Sequence, residues 1–143
     1  MDHDGIGRVM NPNEYLSGRG YSMVNKFVSS GALLAGRPVV SCEEQTNVGN
    51  IFQTTLEEVK VTGDRSNLSG VNHSVLHGFN YSPRQKDFFG WIQFGTYFNE
   101  NNTWWPYVRS WTDYKARVSA LLQNSVYQAD IAILPPLEDL WSI

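Results

Sequence analysis

The run Pro38-Val39-Val40-Ser41-Cys42-Glu43-Glu44-Gln45-Thr46-Asn47 decides how this chain is read. Small and branched apolar residues lead straight into two acids and then a polar loop. The run predicts a strand from Pro38 to about Cys42, ending in carboxylates. The carboxyl ends of strands in parallel α/β sheets are a usual place for catalytic acids and bases. Side chains alternate along a strand, so Val39, Ser41 and Glu43 share one face and Val40, Cys42 and Glu44 share the other. Val40 and Cys42 suit the side that helices cover. Glu43 then falls on the inner side and is the better candidate for the mouth of a site, with Glu44 as polar support. The competing reading makes both acids solvated loop residues at a strand end.

Outward from this strand, helices and strands alternate. Residues 1–21 are rich in Gly, Asn and Asp and read as loop. A helix follows, with Ser22 as its cap and Met23, Phe27 and Leu34 on one side. Gly36 ends it and Pro38 prevents its return. The second helix starts near Thr54, where Thr55-Leu56-Glu57-Glu58 fits a capping box. It stops before Gly70, and residues 71–77 read as a second strand ended by Gly78. An aromatic loop runs from Phe79 to about Asn102. The third helix opens at Trp104-Trp105-Pro106, with Pro in its first turn, and carries Trp111, Tyr114, Val118 and Leu121 at helical spacing. Residues 130–134 read as a third strand, stopped by Pro135-Pro136. Strands separated by helices imply right-handed crossovers and a parallel sheet. Three strands cannot close a barrel, so the expectation is either a small open sheet or part of a larger enzyme. The long loop after the second strand favours the latter.

Composition narrows the function classes. The 143 residues fit about one domain. Net charge is −3 with only 17% charged residues, and no basic stripe points to nucleic acid. No apolar run approaches a membrane span, and the polar, acidic start shows no signal peptide. The single cysteine, Cys42, excludes an internal disulfide and reads as a small buried residue. Aromatics reach 13% and crowd residues 81–114. They form either an aromatic core or a wall for sugar binding, because CH-rich sugar faces stack on rings.

His73, Val75 and His77 share a strand face. Four residues of strand hold the two histidines roughly 13 Å apart, which argues against a joint metal site. His77 stands at the strand's carboxyl end, where it can bond a substrate hydroxyl or a catalytic acid. The alternative is a structural histidine. Asn-x-Ser/Thr triplets at Asn67, Asn72, Asn80 and Asn101 are frequent by chance and carry no argument.

Four ordered segments resemble bacterial α-L-rhamnosidases of glycoside hydrolase family 106. They are Lys26-Phe27-Val28-Ser29-Ser30 with Ala32, Val39-Val40-Ser41-Cys42-Glu43, His77-Gly78-Phe79-Asn80-Tyr81-Ser82-Pro83, and Phe98-Asn99-Glu100-Asn101-Asn102-Thr103-Trp104-Trp105-Pro106. The resemblance covers roughly residues 21–141. It implies an α/β fold: a partial (β/α) TIM-like barrel, with residues 1–143 as the C-terminal portion of a larger catalytic domain. It also implies a catalytic carboxylate on the Ser-x-Glu pattern, here Ser41-Cys42-Glu43, acting as one member of an inverting pair and as its base. The second carboxylate would lie upstream of Met1, in the part of the barrel this chain lacks.

By the same resemblance, His77 and Tyr81 line a sugar pocket, Trp91, Trp104 and Trp105 lie near or beneath it, and the partner is a rhamnose-containing glycan. A calcium ion near the sugar hydroxyls is allowed, though no acidic cluster demands one. The full-length protein is expected to be periplasmic or secreted. Gln45-Thr46-Asn47 departs from the aromatic residues that family members often carry after the Glu. Pro12-Asn13-Glu14 resembles another acidic pocket loop and receives no role. Two rival readings remain: a non-catalytic carbohydrate-binding module built on the aromatic loop, and a flavodoxin-like domain, for which Val48-Gly49-Asn50 is a poor phosphate turn.

Overall fold

The computed structural model describes residues 19–47, 51–81 and 95–136. They form α1 (Arg19–Leu34), β1 (Ser41–Glu44), α2 (Leu56–Leu68), β2 (His73–Leu76), a 3-10 turn (Trp105–Tyr107) and α3 (Val108–Gln123). The two strands pair in parallel, with Ser41 opposite His73 and Glu43 opposite Val75. The fold of the described residues is therefore α/β, with α2 as the crossover between neighbouring parallel strands.

Local chemistry accounts for the element ends. Thr55 caps α2 through a complete capping box with Glu58, which satisfies two otherwise orphaned donors. Gly36 after α1 and Gly70 after α2 take positive φ values of 63° and 96°, where a Cβ is unfavourable. Pro106 sits in the 3-10 turn that leads into α3. The Asn72 side chain accepts from Val40 N–H and donates to Pro38 C=O. It thus holds the approach to β1 where ladder pairing has not yet begun, and the strand starts at Ser41 rather than Pro38.

The core lies between α2, α3 and the loop before α3. Val59, Phe98 and Trp111 are its buried members, with Leu56, Trp104, Trp105, Val108 and Tyr114 packed around them. Phe98 stacks on Trp111 at 5.9 Å and meets Trp104 edge-on at 5.4 Å. Each large apolar side chain buried this way contributes about 1.5–3 kcal/mol.

Four expectations are corrected. Residues 130–134 form no strand: Ile131, Ile133 and Leu134 are all exposed, and among the described residues no neighbour pairs with them. A strand needs a partner to satisfy its backbone. The helix α1 starts at Arg19, before Ser22. Its packed stripe is also not the apolar one: Met23, Phe27 and Leu34 are exposed, while Ser22, Asn25, Ser29 and Ala32 are half-buried. Ser29 Oγ donates to Ser69 C=O at 2.8 Å. A Cβ on Gly70 would stand 2.5 Å from Ser29, so small residues set this close approach. On α3, Leu121 is exposed, and Trp111 and Lys115 are buried instead.

Candidate functional site

The alternation of β1 separates its two acids. Glu43 lies on the open face with its side chain 64% exposed, beside Ser41 and opposite Val75, both exposed. Glu44 turns to the helical side, where its side chain is 1% exposed and pairs with Lys115 of α3 at 3.3 Å. Lys115 Nζ also donates to Gly63 C=O at 3.3 Å and Asn67 Oδ1 at 3.1 Å. Gly63 makes room for it, since an added Cβ would lie 3.2 Å from Nζ. Glu44 is therefore not beside Glu43 on the open face, because consecutive strand residues point to opposite sides. It ties β1 to α2 and α3.

Register brings His77 to Glu43. Its N–H donates to Glu44 C=O at 2.8 Å, carrying the strand pairing one residue past β2. Its Nδ1 lies 3.3 Å from Glu43 Oε1. Thr46 stands between them: its Oγ1 is 3.3 Å from Glu43 Oε1 and 3.0 Å from His77 Nδ1.

The loop that carries Thr46 is anchored independently of that hydroxyl. Gln45 is buried at φ 68°, and its Nε2 donates to Val59 C=O at 3.0 Å. Gln45 C=O accepts from both N–H and Oγ1 of Thr96 at 3.1 Å. Thr46 itself bridges to Gly95. The segment 95–98 thus crosses beside the carboxyl ends of both strands, since Phe98 also bridges to Phe79.

The expected aromatic residues divide. Trp104 belongs to the core: it packs on Phe98, and its Nε1 donates to Thr54 C=O at 2.8 Å. Trp105 is half-buried and meets the exposed Phe79 edge-on at 5.9 Å. Tyr81 is exposed. Trp91 and the motif residues Ser82 and Pro83 lie outside the described residues. His73 is exposed on the same face as Val75.

Cys42 is half-buried against α1, its Sγ 3.9 Å from Asn25 Oδ1. Burial pushes its thiol pKa up, and the nearby Glu44 and Glu43 carboxylates add to the rise. A thiol held protonated is a poor nucleophile, in keeping with a packing role.

Two residues of this neighbourhood escaped the sequence reading. Lys115 carried a usable signal, lying four positions after Trp111 on the buried face of α3. Thr46 carried none, because its place between Glu43 and His77 depends on the pairing of distant strands.

An exposed carboxylate at a strand's end, bonded to a hydroxyl and an imidazole, has the parts needed to move a proton and bind hydroxyl groups. The comparisons agree with glycoside chemistry. The sequence model of glycoside hydrolase family 106, described as alpha-L-rhamnosidase, matches residues 8–138. A Formosa agariphila protein named "Putative beta-glucuronidase" is 33% identical over 123 residues, covering 84% of this chain and 10% of that protein. The chain thus spans about a tenth of the length of the curated relative it matches. No solved structure matches. With a family match that runs across nearly its whole length, the chain belongs to glycoside hydrolase family 106, the alpha-L-rhamnosidase family.

Proposed function

We propose that this chain is the later part of a (β/α) barrel that hydrolyses terminal α-L-rhamnosides or related glycans, with Glu43 as one catalytic carboxylate. The observation that carries the reading is the position of Glu43: on the open sheet face, at the carboxyl end of β1, 3.3 Å from His77. In an inverting hydrolysis, one carboxylic acid protonates the leaving oxygen and a second carboxylate takes a proton from the attacking water. The two stand about 6.5–9.5 Å apart to hold that water. Glu43 serves as the base. Its contacts to Thr46 and His77 both fall on Oε1, which leaves Oε2 to meet the water. The acid comes from an upstream strand, and His77, Tyr81 and Trp105 contribute to the sugar pocket.

A calcium ion, which the family resemblance allows, would need donors from outside the described residues. Among the described residues no three His, Cys, Asp or Glu side chains converge.

The test is turnover of an aryl α-L-rhamnoside by the full-length protein and its Glu43→Gln variant. The variant is expected to lose about 10²–10⁴-fold in rate, the usual contribution of a positioned acid or base, while still binding rhamnose. Undiminished turnover rejects the role of Glu43. An aryl β-glucuronide is the competing substrate, chosen for the name of the Formosa relative, and preference for it would replace the rhamnoside assignment.

A further inference from the structure

We infer that Thr46 is a positioning residue: its hydroxyl fixes the tautomer of His77 and so makes imidazole Nε2 the acceptor for a sugar hydroxyl. The inference rests on the glycosidase reading of the same site, and it concerns which atom of the pocket reads the substrate.

Proton counting decides between the two tautomers. Thr46 has one hydroxyl proton and two neighbours in reach, Glu43 Oε1 at 3.3 Å and His77 Nδ1 at 3.0 Å. An ionised carboxylate only accepts, so the Thr46 proton goes to Glu43. The contact with His77 is then favourable only if Nδ1 carries the ring proton and donates to Thr46 Oγ1. Glu43 Oε1, 3.3 Å from Nδ1, favours the same placement. A neutral imidazole protonated at Nδ1 has a bare lone pair at Nε2.

A ring with the opposite tautomer would present a donor there instead. The two tautomers therefore prefer opposite partners at the same point in space. A glycan hydroxyl that donates to Nε2 is accepted, and an ether or carbonyl oxygen at that point is not.

The remaining polar neighbours do not compete for Nδ1. Glu44, Lys115 and Cys42 lie on the opposite face of β1, where Glu44 and Lys115 form an ion pair. Ser41 and His73 sit at the other end of the open face, paired with each other in the ladder register. The Thr46 backbone is held by the bridge to Gly95 and by Gln45, so the hydroxyl is not needed to shape the loop. This separates a positioning role from a structural one.

The experiment compares full-length wild type with Thr46→Val, Thr46→Ser, His77→Ala and the Thr46→Val/His77→Ala double variant, using an aryl α-L-rhamnoside. Thr46→Val removes the hydroxyl at nearly constant shape and is expected to lower kcat/KM about tenfold, mainly through KM, the scale of one lost hydrogen bond. Thr46→Ser restores it to within about threefold of wild type. In the His77→Ala background, the loss from Thr46→Val falls to less than about a third of its size in wild type, leaving only the part carried by the bond to Glu43, because a residue acting through another is non-additive with it.

Where His77→Ala turnover is too slow to follow, calorimetric binding of L-rhamnose completes the same cycle. Thr46→Ala stands in if the valine variant does not fold. Wild-type kinetics in Thr46→Val, or an equal loss with and without His77, overturns the inference. Retained turnover in Glu43→Gln instead overturns the glycosidase reading beneath it, so the two failures are distinct.

Discussion

Glu44 and Lys115, 71 residues apart, meet as a buried ion pair at 3.3 Å, with 1% and 7% of their side chains exposed. One residue earlier, Glu43 stands in the open beside His77. A single peptide step thus divides an acid that joins strand to helices from an acid left exposed on the sheet face.

The pair makes a stability prediction. Removing one partner of a buried ion pair strands the other charge and costs about 3–5 kcal/mol. Lys115→Ala is expected to lower stability by that order in urea unfolding. Glu43→Gln, on the exposed face, is expected to stay within about 0.5 kcal/mol of wild type. Equal effects would remove the division of labour between the two acids.

The two positive-φ glycines predict a graded pair. Gly36 has open space around it, and Gly70 has Ser29 2.5 Å from an added Cβ. Gly36→Ala should cost about 1–2 kcal/mol from the left-handed backbone alone. Gly70→Ala should cost more, because the same strain is joined by a clash with α1. Thermal melts of both variants check the order, and the order matters more than either value.

The α2 cap predicts a third measurement. Thr55 accepts from Glu58 N–H, while its own N–H donates to the Glu58 carboxylate at 2.7 Å. Thr55→Ala is expected to cost about 1 kcal/mol, and Thr55→Ser to recover most of it. Unfolding curves of the three proteins would show whether the capping box contributes at all.

Cys42 predicts slow labelling. Burial, with the Glu44 and Glu43 charges, holds its thiol pKa above the usual value. At pH 8 the folded protein should react with iodoacetamide more slowly than the unfolded chain, and the rate should climb further as pH rises. The sign for stability follows: the protonated thiol favours the fold. The contribution is complete below the unfolded thiol's pKa and is lost as pH rises through the folded one. Labelling at equal rates in native and urea-unfolded protein would contradict the burial of Sγ.

Much of the architecture was legible because its causes are local. The Thr55–Glu58 box, the stops at Gly36 and Gly70, and the Pro106 start of the third helical segment depend on residues within one turn of each other. The assignment of Glu43 to the open face followed from strand alternation. Hydrophobicity misled where packing is made by small and polar groups. The stripe of α1 that contacts the rest is Ser22, Asn25, Ser29 and Ala32, and the exposed Met23, Phe27 and Leu34 looked more like a core. Residues 130–134 had strand-like composition, yet composition supplies no pairing partner.

By itself, then, the sequence determined the alternation of three helices with two strands, the stops at Gly36 and Gly70, the cap of α2, and which side of β1 carries which acid, because dihedral preference, capping and alternation act over a few residues. Only the tertiary structure decided that Lys115 neutralises Glu44 and that Thr46 meets His77 beside Glu43. Those two contacts join groups 71 and 31 residues apart. They exist only once strand register and helix packing bring them within a hydrogen bond's length.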